Sequence, residues 1–325
     1  MHKVVLIGAG RIGRIHAKNA AFNPRIELAG VVDAIDASAQ SLAQEYGCPV
    51  LSLDQTMDDA SVAGVIIASS TDTHLDYSVR AAAAGKAVFC EKPIDQDLTR
   101  ARSAAGQLSK AKLLLAFNRR FDPNFQALKA RLDSGAIGTL ETLQITSNDP
   151  SPPPPSYVAV SGGLFKDMAI HDFDMARWLL GEEPVEVYAA GSCLVDPEIG
   201  KLGDVDTART VLKTASGRIC VISNSRRSGF GYDQRIEAYA SAGMVRADNV
   251  TESTVQVWSE NGAAADRFQN FFLDRYAEAY RREMDHFADM LDGAAASVGY
   301  ADGVAALALA EAAAQSVRTG APVRL

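Results

Sequence analysis

The segment Gly162-Gly163-Leu164-Phe165-Lys166-Asp167-Met168-Ala169-Ile170-His171-Asp172-Phe173-Asp174 places a carboxylate and an imidazole four residues apart. If one helix runs through it, Asp167 and His171 project from the same face. Such a pair can bind an alcohol and take its proton, because a histidine with its ordinary pKa of about 6.5 accepts protons near neutral pH. Met168, Ile170, Phe173 and Trp178 are spaced to anchor that helix on a core. Read alone, the same residues also describe a helix capped by Asp167 that carries a satisfied core histidine. Asp174 reads as structural, pairing with an arginine such as Arg177. Glu91-Lys92-Pro93 is a second reactive element. Pro93 fixes its own φ and restricts Lys92, so the ammonium is aimed. Beside a reacting hydroxyl it would donate to the oxygen and stabilise developing charge. As an isolated motif, Lys-Pro also suits a surface turn.

Oxidising an alcohol needs a hydride acceptor, and the N-terminus has the pattern of an acceptor site. Gly8-Ala9-Gly10-Arg11-Ile12-Gly13 fits G-x-G-x-x-G between an apolar strand and a helix. Gly8 makes the tight turn, Gly10 lets the backbone approach a pyrophosphate, and Gly13 permits close helix–strand packing. The helix start at Arg11 and Ile12 turns N–H groups and a positive dipole end toward the phosphates. Asp33 ends the second strand, twenty residues after Gly13. Its carboxylate accepts hydrogen bonds from ribose hydroxyls and repels a 2′-phosphate, and Ala34 and Ile35 supply no arginine. NAD is therefore expected over NADP; the other reading of Asp33 is a helix N-cap. Ser69-Ser70-Thr71-Asp72-Thr73-His74 follows a strand ending at Ala68. Loops at carboxyl ends of parallel strands line the ligand crevice, so Ser69, Thr71, His74, Glu91 and Lys92 are cofactor-side candidates. His74 reads equally as a helix-start histidine with local hydrogen bonds.

These residues need elements to hold them. Strands over 4–7, 28–32, 64–68, 87–90 and 112–116 alternate with helices over 12–21, 37–46, 75–84 and 99–108. The alternation predicts an α/β, Rossmann-type, doubly wound parallel sheet. The pattern then changes: a helix over 124–133 precedes strands over 139–146, 185–192, 207–213, 218–225, 235–240 and 254–258. Thr214-Ala215-Ser216-Gly217 looks like a hairpin turn, and Pro152 to Pro155 make a stiff polyproline loop. Helices over 274–292 and 303–318 close the chain. The second half reads as α+β with a largely antiparallel open sheet, dividing the chain into domains 1–120 and 121–325.

The 325 residues suffice for two domains, and a formal charge of -8 leaves no basic surface for nucleic acid. Cys48, Cys90, Cys193 and Cys220 have no Cys-x-x-Cys spacing, which argues against a metal site and for reduced thiols in the cytoplasm. The first strand starts at Lys3, leaving no signal peptide, and no apolar run is long enough for a bilayer.

Together the Gly8–Gly13 turn, Glu91-Lys92-Pro93 and Asp167-x-x-x-His171 resemble the glucose–fructose oxidoreductase/inositol dehydrogenase family (Gfo/Idh/MocA) over essentially the whole chain. Phe117-Asn118-Arg119-Arg120-Phe121-Asp122-Pro123, Asn148-Asp149-Pro150 and Gly231-Tyr232-Asp233 are similar to the bacterial inositol 2-dehydrogenases within it. The resemblance implies oxidation of myo-inositol to 2-keto-myo-inositol with NAD. It implies His171 as general base, Lys92 on the reacting hydroxyl with a cis Lys92–Pro93 bond, and Asp167 binding substrate and polarising or relaying. Arg119, Asp149 and Tyr232 would contact ring hydroxyls. Asn118 stands where some relatives carry methionine and Asp149 where some carry asparagine, which bears on the hydroxyls read. Each buried hydroxyl left without a partner costs ~1–3 kcal/mol, so a polyol ring accounts for these polar side chains. Tyr232-Asp233 read alone is a turn before a strand. The resemblance also implies a homodimer or homotetramer through the open sheet. Another inositol isomer, an aldose, or a sugar sensor without turnover are the alternatives.

Overall fold

Residues 1–325 are described by a computed structural model. The chain divides into two compact units, Met1–Phe121 with Ala279–Leu307, and Asp122–Glu278 with Ala308–Leu325. The first unit ends one residue beyond the expected cut after residue 120 and also takes in Ala279–Leu307. The chain returns to its first unit near the end, for a reason visible in packing.

In the first unit, β1 (His2–Ile7), α1 (Arg11–Phe22), β2 (Ile26–Val32), α2 (Asp36–Tyr46), α3 (Leu53–Asp58), β3 (Val62–Ile67), α4 (Thr71–Ala83), β4 (Ala87–Glu91), α5 (Leu98–Ser103), α6 (Ala105–Leu108) and β5 (Leu113–Ala116) alternate as expected. The five strands are all parallel, in the order β2-β1-β3-β4-β5. A parallel bridge from Val50 to Val31 extends the β2 edge. With that bridge as an edge strand, the order matches the 3-2-1-4-5-6 sequence of dinucleotide-binding sheets. Val4, Val5, Leu6, Ile66, Ile67, Val88 and Phe89 are fully or almost fully buried, as strands covered on both faces require. The helix expected over 99–108 is two short ones, α5 and α6, separated at Ala104.

One covering helix comes from the far end of the chain. α13 (Ala277–Leu291) turns Glu283, Met284, Phe287 and Ala288 inward. A side chain at Gly64 of β3 would meet Phe287 at 3.0 Å and Leu291 at 3.2 Å. The bare backbone of Gly64 thus makes the seat for α13. Phe287 also meets Phe89 edge-on at 5.6 Å, and Arg25 holds the helix end through Asp289 and Asp292.

The second unit carries α7 (Pro123–Asp133), β6 (Leu140–Asn148), α8 (Pro155–Ser161), α9 (Gly163–Asp167), α10 (Ile170–Leu180), β7 (Pro184–Ser192), α11 (Pro197–Lys201), β8 (Thr207–Thr214), β9 (Ile219–Ser225), β10 (Asp233–Ala240), β11 (Gly243–Ala247), β12 (Gln256–Ser259), β13 (Gly262–Ala265) and α12 (Phe272–Arg275). α14 (Tyr300–Thr319) and β14 (Val323–Arg324) end the chain. Its main sheet runs β11-β10-β6-β9-β8-β7-β14. Only β6 and β9 pair in parallel, so the sheet is mostly antiparallel. Along β8, Ala208, Thr210, Leu212 and Thr214 are buried and alternate with more exposed residues. α10 lies against the buried face at β6 and β9. Tyr188, Val211 and Val221 stand in one cross-strand row on the opposite face, with Tyr188 and Val221 exposed.

A second expected helix resolves into pieces, and the expected polyproline loop ends in a helix. Residues 274–292 form α12 and α13, and Pro155, the last proline of the run, starts α8 at its first turn, where a missing N–H costs nothing.

Candidate active site

The glycine turn of the first unit is shaped by three different needs. Gly8 sits at φ +105°, and a Cβ there would lie 2.5 Å from the backbone of Ala68 and Ser69. At Gly13 a Cβ would lie 1.9 Å from the Gly8 carbonyl oxygen. At Gly10 a Cβ would meet nothing within 4 Å. Gly10 is also the N-cap of α1, where no side chain caps the helix and the first turn holds no acid. Open space over uncapped N–H groups fits a pyrophosphate. Asp33 closes the turn: its Oδ2 accepts the Ala9 N–H at 2.6 Å and its Oδ1 the Ile35 N–H at 2.7 Å. It is not the N-cap of α2, which is Ile35. Each carboxylate oxygen keeps a further acceptor site, so Asp33 suits the ribose hydroxyls of a dinucleotide. The residues present therefore fit NAD, with Gly8 to Gly13 under the phosphates and Asp33 at the ribose.

Ser69 and Thr71 follow β3, and the Ser69 hydroxyl bonds that of Thr73 at 2.6 Å. His74 is buried, with Nδ1 2.8 Å from the Pro93 carbonyl and Nε2 3.1 Å from the Ser69 carbonyl. Both ring nitrogens are directed at the backbone, tying the Ser69 loop to the Lys92–Pro93 loop, the local hydrogen bonding of the alternative reading of His74. The Lys92–Pro93 peptide is cis. Glu91 faces back into the unit, with Oε1 2.7 Å from His16 Nε2 of α1 and Oε2 accepting the Lys92 N–H at 3.3 Å. His16 links the phosphate-side helix to the start of the lysine loop. Neighbouring Glu283 is fully buried, and burial first, then the charge of Glu91, pushes its carboxyl well above the usual range.

Arg119 is buried in the 3-10 turn Asn118–Phe121, while Arg120 pairs with Asp302 at 2.9 Å.

The remaining candidates belong to the second unit. The helix expected through Asp167 and His171 is corrected to two: α9 ends at Asp167 and α10 begins at Ile170. The Leu164 carbonyl accepts from both Met168 at 3.0 Å and Ala169 at 2.9 Å. The second is an i to i+5 bond, a one-residue widening that also shifts the facing of the residues beyond it. Nor does Asp167 cap α9. That start is held by Asp204, whose Oδ1 and Oδ2 lie 3.1 and 3.0 Å from the Leu164 N–H. Asp167 Oδ1 instead accepts the Tyr157 hydroxyl at 2.9 Å, and Oδ2 accepts Arg226 Nη2 at 2.9 Å. His171 stands in the first turn of α10, partly exposed. Beside it Asp172 is fully buried and accepts Asn224 Nδ2 of β9 at 2.8 Å, which pins the helix to the sheet. Asp174 lies 3.7 Å from Arg177, as expected for a structural pair. Ile170 and Phe173 are fully buried, whereas Trp178 is only partly so.

Asp149 follows β6 and accepts Arg226 Nη1 at 3.2 Å. Its neighbour Asn148 donates to Asp233 at 3.1 Å. Burial would raise the Asp233 carboxyl, but bonds from Arg235, Asn249 and Asn148 hold it below the ordinary value. Tyr232 is buried edge-on to Tyr276 at 6.0 Å, and its N–H donates to the Gln269 carbonyl. The structure thus brings Asp149, Asp167 and Arg226 together. It separately gathers the glycine turn, Asp33, Ser69 and the Lys92 loop. Tyr157 and Arg226 were missed by sequence. The only signal for Arg226 is the parallel register of β6 and β9, whose last pair, Asn148 with Ser225, puts Asp149 and Arg226 side by side; Tyr157, in α8, has no such signal.

Residues 2–118 match the oxidoreductase family, NAD-binding Rossmann fold, and residues 125–246 match the GFO/IDH/MocA C-terminal domain. An inositol 2-dehydrogenase of Rhizobium meliloti (strain 1021) is 48% identical over 96% of this chain and 96% of its own. The crystal structure of a myo-inositol dehydrogenase from Corynebacterium glutamicum superposes with a TM-score of 0.96 at 42% identity, covering 100% of this chain and 99% of that one. A scyllo-inositol dehydrogenase from Lactobacillus casei, solved with bound NAD(H) and scyllo-inositol, superposes with a TM-score of 0.90 at 28% identity, covering 100% and 99%.

Proposed function

We infer that this chain, which belongs to the Gfo/Idh/MocA oxidoreductase family, oxidises the 2-hydroxyl of myo-inositol to 2-keto-myo-inositol with NAD. The observation that carries the reading is the pair of carboxylates, Asp149 and Asp167, presented together by one buried guanidinium. Ionised carboxylates only accept hydrogen bonds, so two of them side by side suit neighbouring hydroxyls of a neutral ring. The 48% identity to an inositol 2-dehydrogenase supports the same substrate.

NAD, when bound, supplies the hydride acceptor. The protein's own work is with the proton and the oxygen. His171 takes the hydroxyl proton on its imidazole, which is worth typically ~10²–10⁴-fold. The Lys92 ammonium donates to the same oxygen and stabilises charge as the proton leaves. Asp167, fixed by Tyr157 and Arg226, accepts from a ring hydroxyl and orients the reacting carbon. Asp149, Arg119 and Tyr232 take the other hydroxyls.

The open row of Tyr188, Val211 and Val221 supports a homodimer or homotetramer formed through the main sheet of the second unit. All four cysteines are unpaired, which supports a reducing cytoplasm. No helix is long and apolar enough to cross a membrane.

The test is NADH formation across the inositol isomers and a set of aldoses. Preference for myo-inositol is expected; no turnover of any polyol refutes the reading. Preference for scyllo-inositol would support a second reading, favoured by the scyllo-inositol bound in the Lactobacillus casei structure.

A further inference from the structure

Arg226 follows β9, and its side chain is only 4% exposed. Its backbone is fixed first: the Arg226 N–H donates to the Asp206 carbonyl at 2.8 Å. Asp206 is itself locked, its carboxylate accepting the N–H groups of Leu194, Val195 and Asp196 at 2.7 to 2.9 Å. From that anchored point the two ends of the guanidinium fork part. Nη1 reaches Asp149 Oδ2 at 3.2 Å and Nη2 reaches Asp167 Oδ2 at 2.9 Å. Burial alone would weaken the arginine's charge, but the Asp167 and Asp149 carboxylates outweigh it and raise its pKa.

Two carboxylates in one enclosed place repel, and one tends to take up a proton. A protonated acid donates as well as accepts, so it would read a different hydroxyl pattern. A guanidinium stays charged and spans two acceptors at a fixed angle; an ammonium is a point charge that cannot. We propose that Arg226 is a positioning residue that fixes both the spacing and the ionisation of Asp149 and Asp167, and thereby sets which pair of ring hydroxyls the enzyme reads. The proposal rests on the polyol reading above and deepens it: the discriminating element is the clamp, and Asp149 and Asp167 act as one unit.

The experiment compares wild type, Arg226→Lys and Arg226→Ala with myo- and scyllo-inositol, with NADH binding as the check on folding. Arg226→Lys is expected to lose roughly 10-fold in kcat/KM, carried mainly by KM, because one carboxylate keeps its cation. Arg226→Ala is expected to lose roughly 10²-fold or more, as a buried charge pair is broken. Added guanidinium should return part of that activity, and the myo-to-scyllo ratio should move in both variants. Equal losses for both isomers with no return by guanidinium would make Arg226 an ordinary packing residue and overturn the proposal. A second readout needs no turnover. Nitrogen NMR should show separate, slowly rotating Nη signals for Arg226 that average in Asp149→Asn and in Asp167→Asn. Averaged signals in the wild type would refute the clamp. If no polyol is oxidised, the function reading falls alone, and the NMR signals still decide the clamp.

Discussion

Adding one methyl group at Gly10 separates folding from cofactor binding. Gly10 has φ -70° and ψ -169°, extended backbone that alanine adopts freely. A Cβ there touches nothing within 4 Å. Less unfolded-chain freedom would stabilise the variant by about 0.4–1 kcal/mol. Alanine is a poorer N-cap than glycine by an amount of the same order, so the net change in stability is about zero. The methyl does occupy the space a pyrophosphate needs. Losing one or two charge-assisted hydrogen bonds at ~1.5–3 kcal/mol each predicts a rise of roughly 10-fold or more in the NADH Kd. Gly13→Ala is the counterpart, since its Cβ would lie 1.9 Å from the Gly8 carbonyl oxygen. Its backbone must shift, at a cost of about 1–3 kcal/mol. The assays are thermal unfolding without cofactor and NADH titration by fluorescence. Gly10→Ala with wild-type NADH affinity would show that no phosphate approaches there. Gly10→Ala unfolding as early as Gly13→Ala would show that the space is not open.

His171→Ala should lower kcat by ~10²–10⁴-fold while NADH binding persists; turnover near wild type would remove it as the base. Asp206 is held by backbone N–H groups that outweigh its burial and lower its carboxyl from 3.8 to about 2. A depressed folded value means stability present above the unfolded value and lost as pH falls through the folded one. Asp206→Asn should therefore cost about 2 kcal/mol at pH 7, a gap that narrows below about pH 4 in denaturant titrations. A gap unchanged down to pH 2 would assign the cost to something other than charge. Glu283 is the opposite case, since its folded carboxyl lies well above the usual range. Its contribution is full below the unfolded value and lost as pH rises toward the folded one. Relative to Glu283→Gln, the wild type should lose up to about 1.4 kcal/mol per pH unit across that window. Parallel stability curves from pH 5 to 8 would contradict a neutral Glu283.

What the sequence showed was mostly local. The glycine turn was legible because turn chemistry depends on residues a few positions apart, and Asp33 drew notice by its place at the end of the second strand, twenty residues after Gly13. Pro93 likewise marked the lysine loop. The Asp167–His171 helix was misread because nothing in Met168-Ala169 signals a doubly used Leu164 carbonyl. Hydrophobic spacing showed that the residues of α13 have an apolar face, but spacing does not say which sheet that face covers; Gly64 decided it. Arg226 was invisible for the same reason: its meaning comes from the β6–β9 register. β11 escaped because Gly243-Met244-Val245-Arg246 alternates too weakly.

The late return of α13 has a consequence during synthesis. Residues 1–121 leave the ribosome long before residues 279–307, with roughly 160 residues between them. At ~5–20 residues per second, the seat on Gly64 stays bare for about 8–30 s. For that interval the nascent dinucleotide-binding sheet leaves Phe89 and the strand beside it uncovered. It is therefore a natural target for chaperones, and a chain cut at residue 120 would keep that exposure permanently.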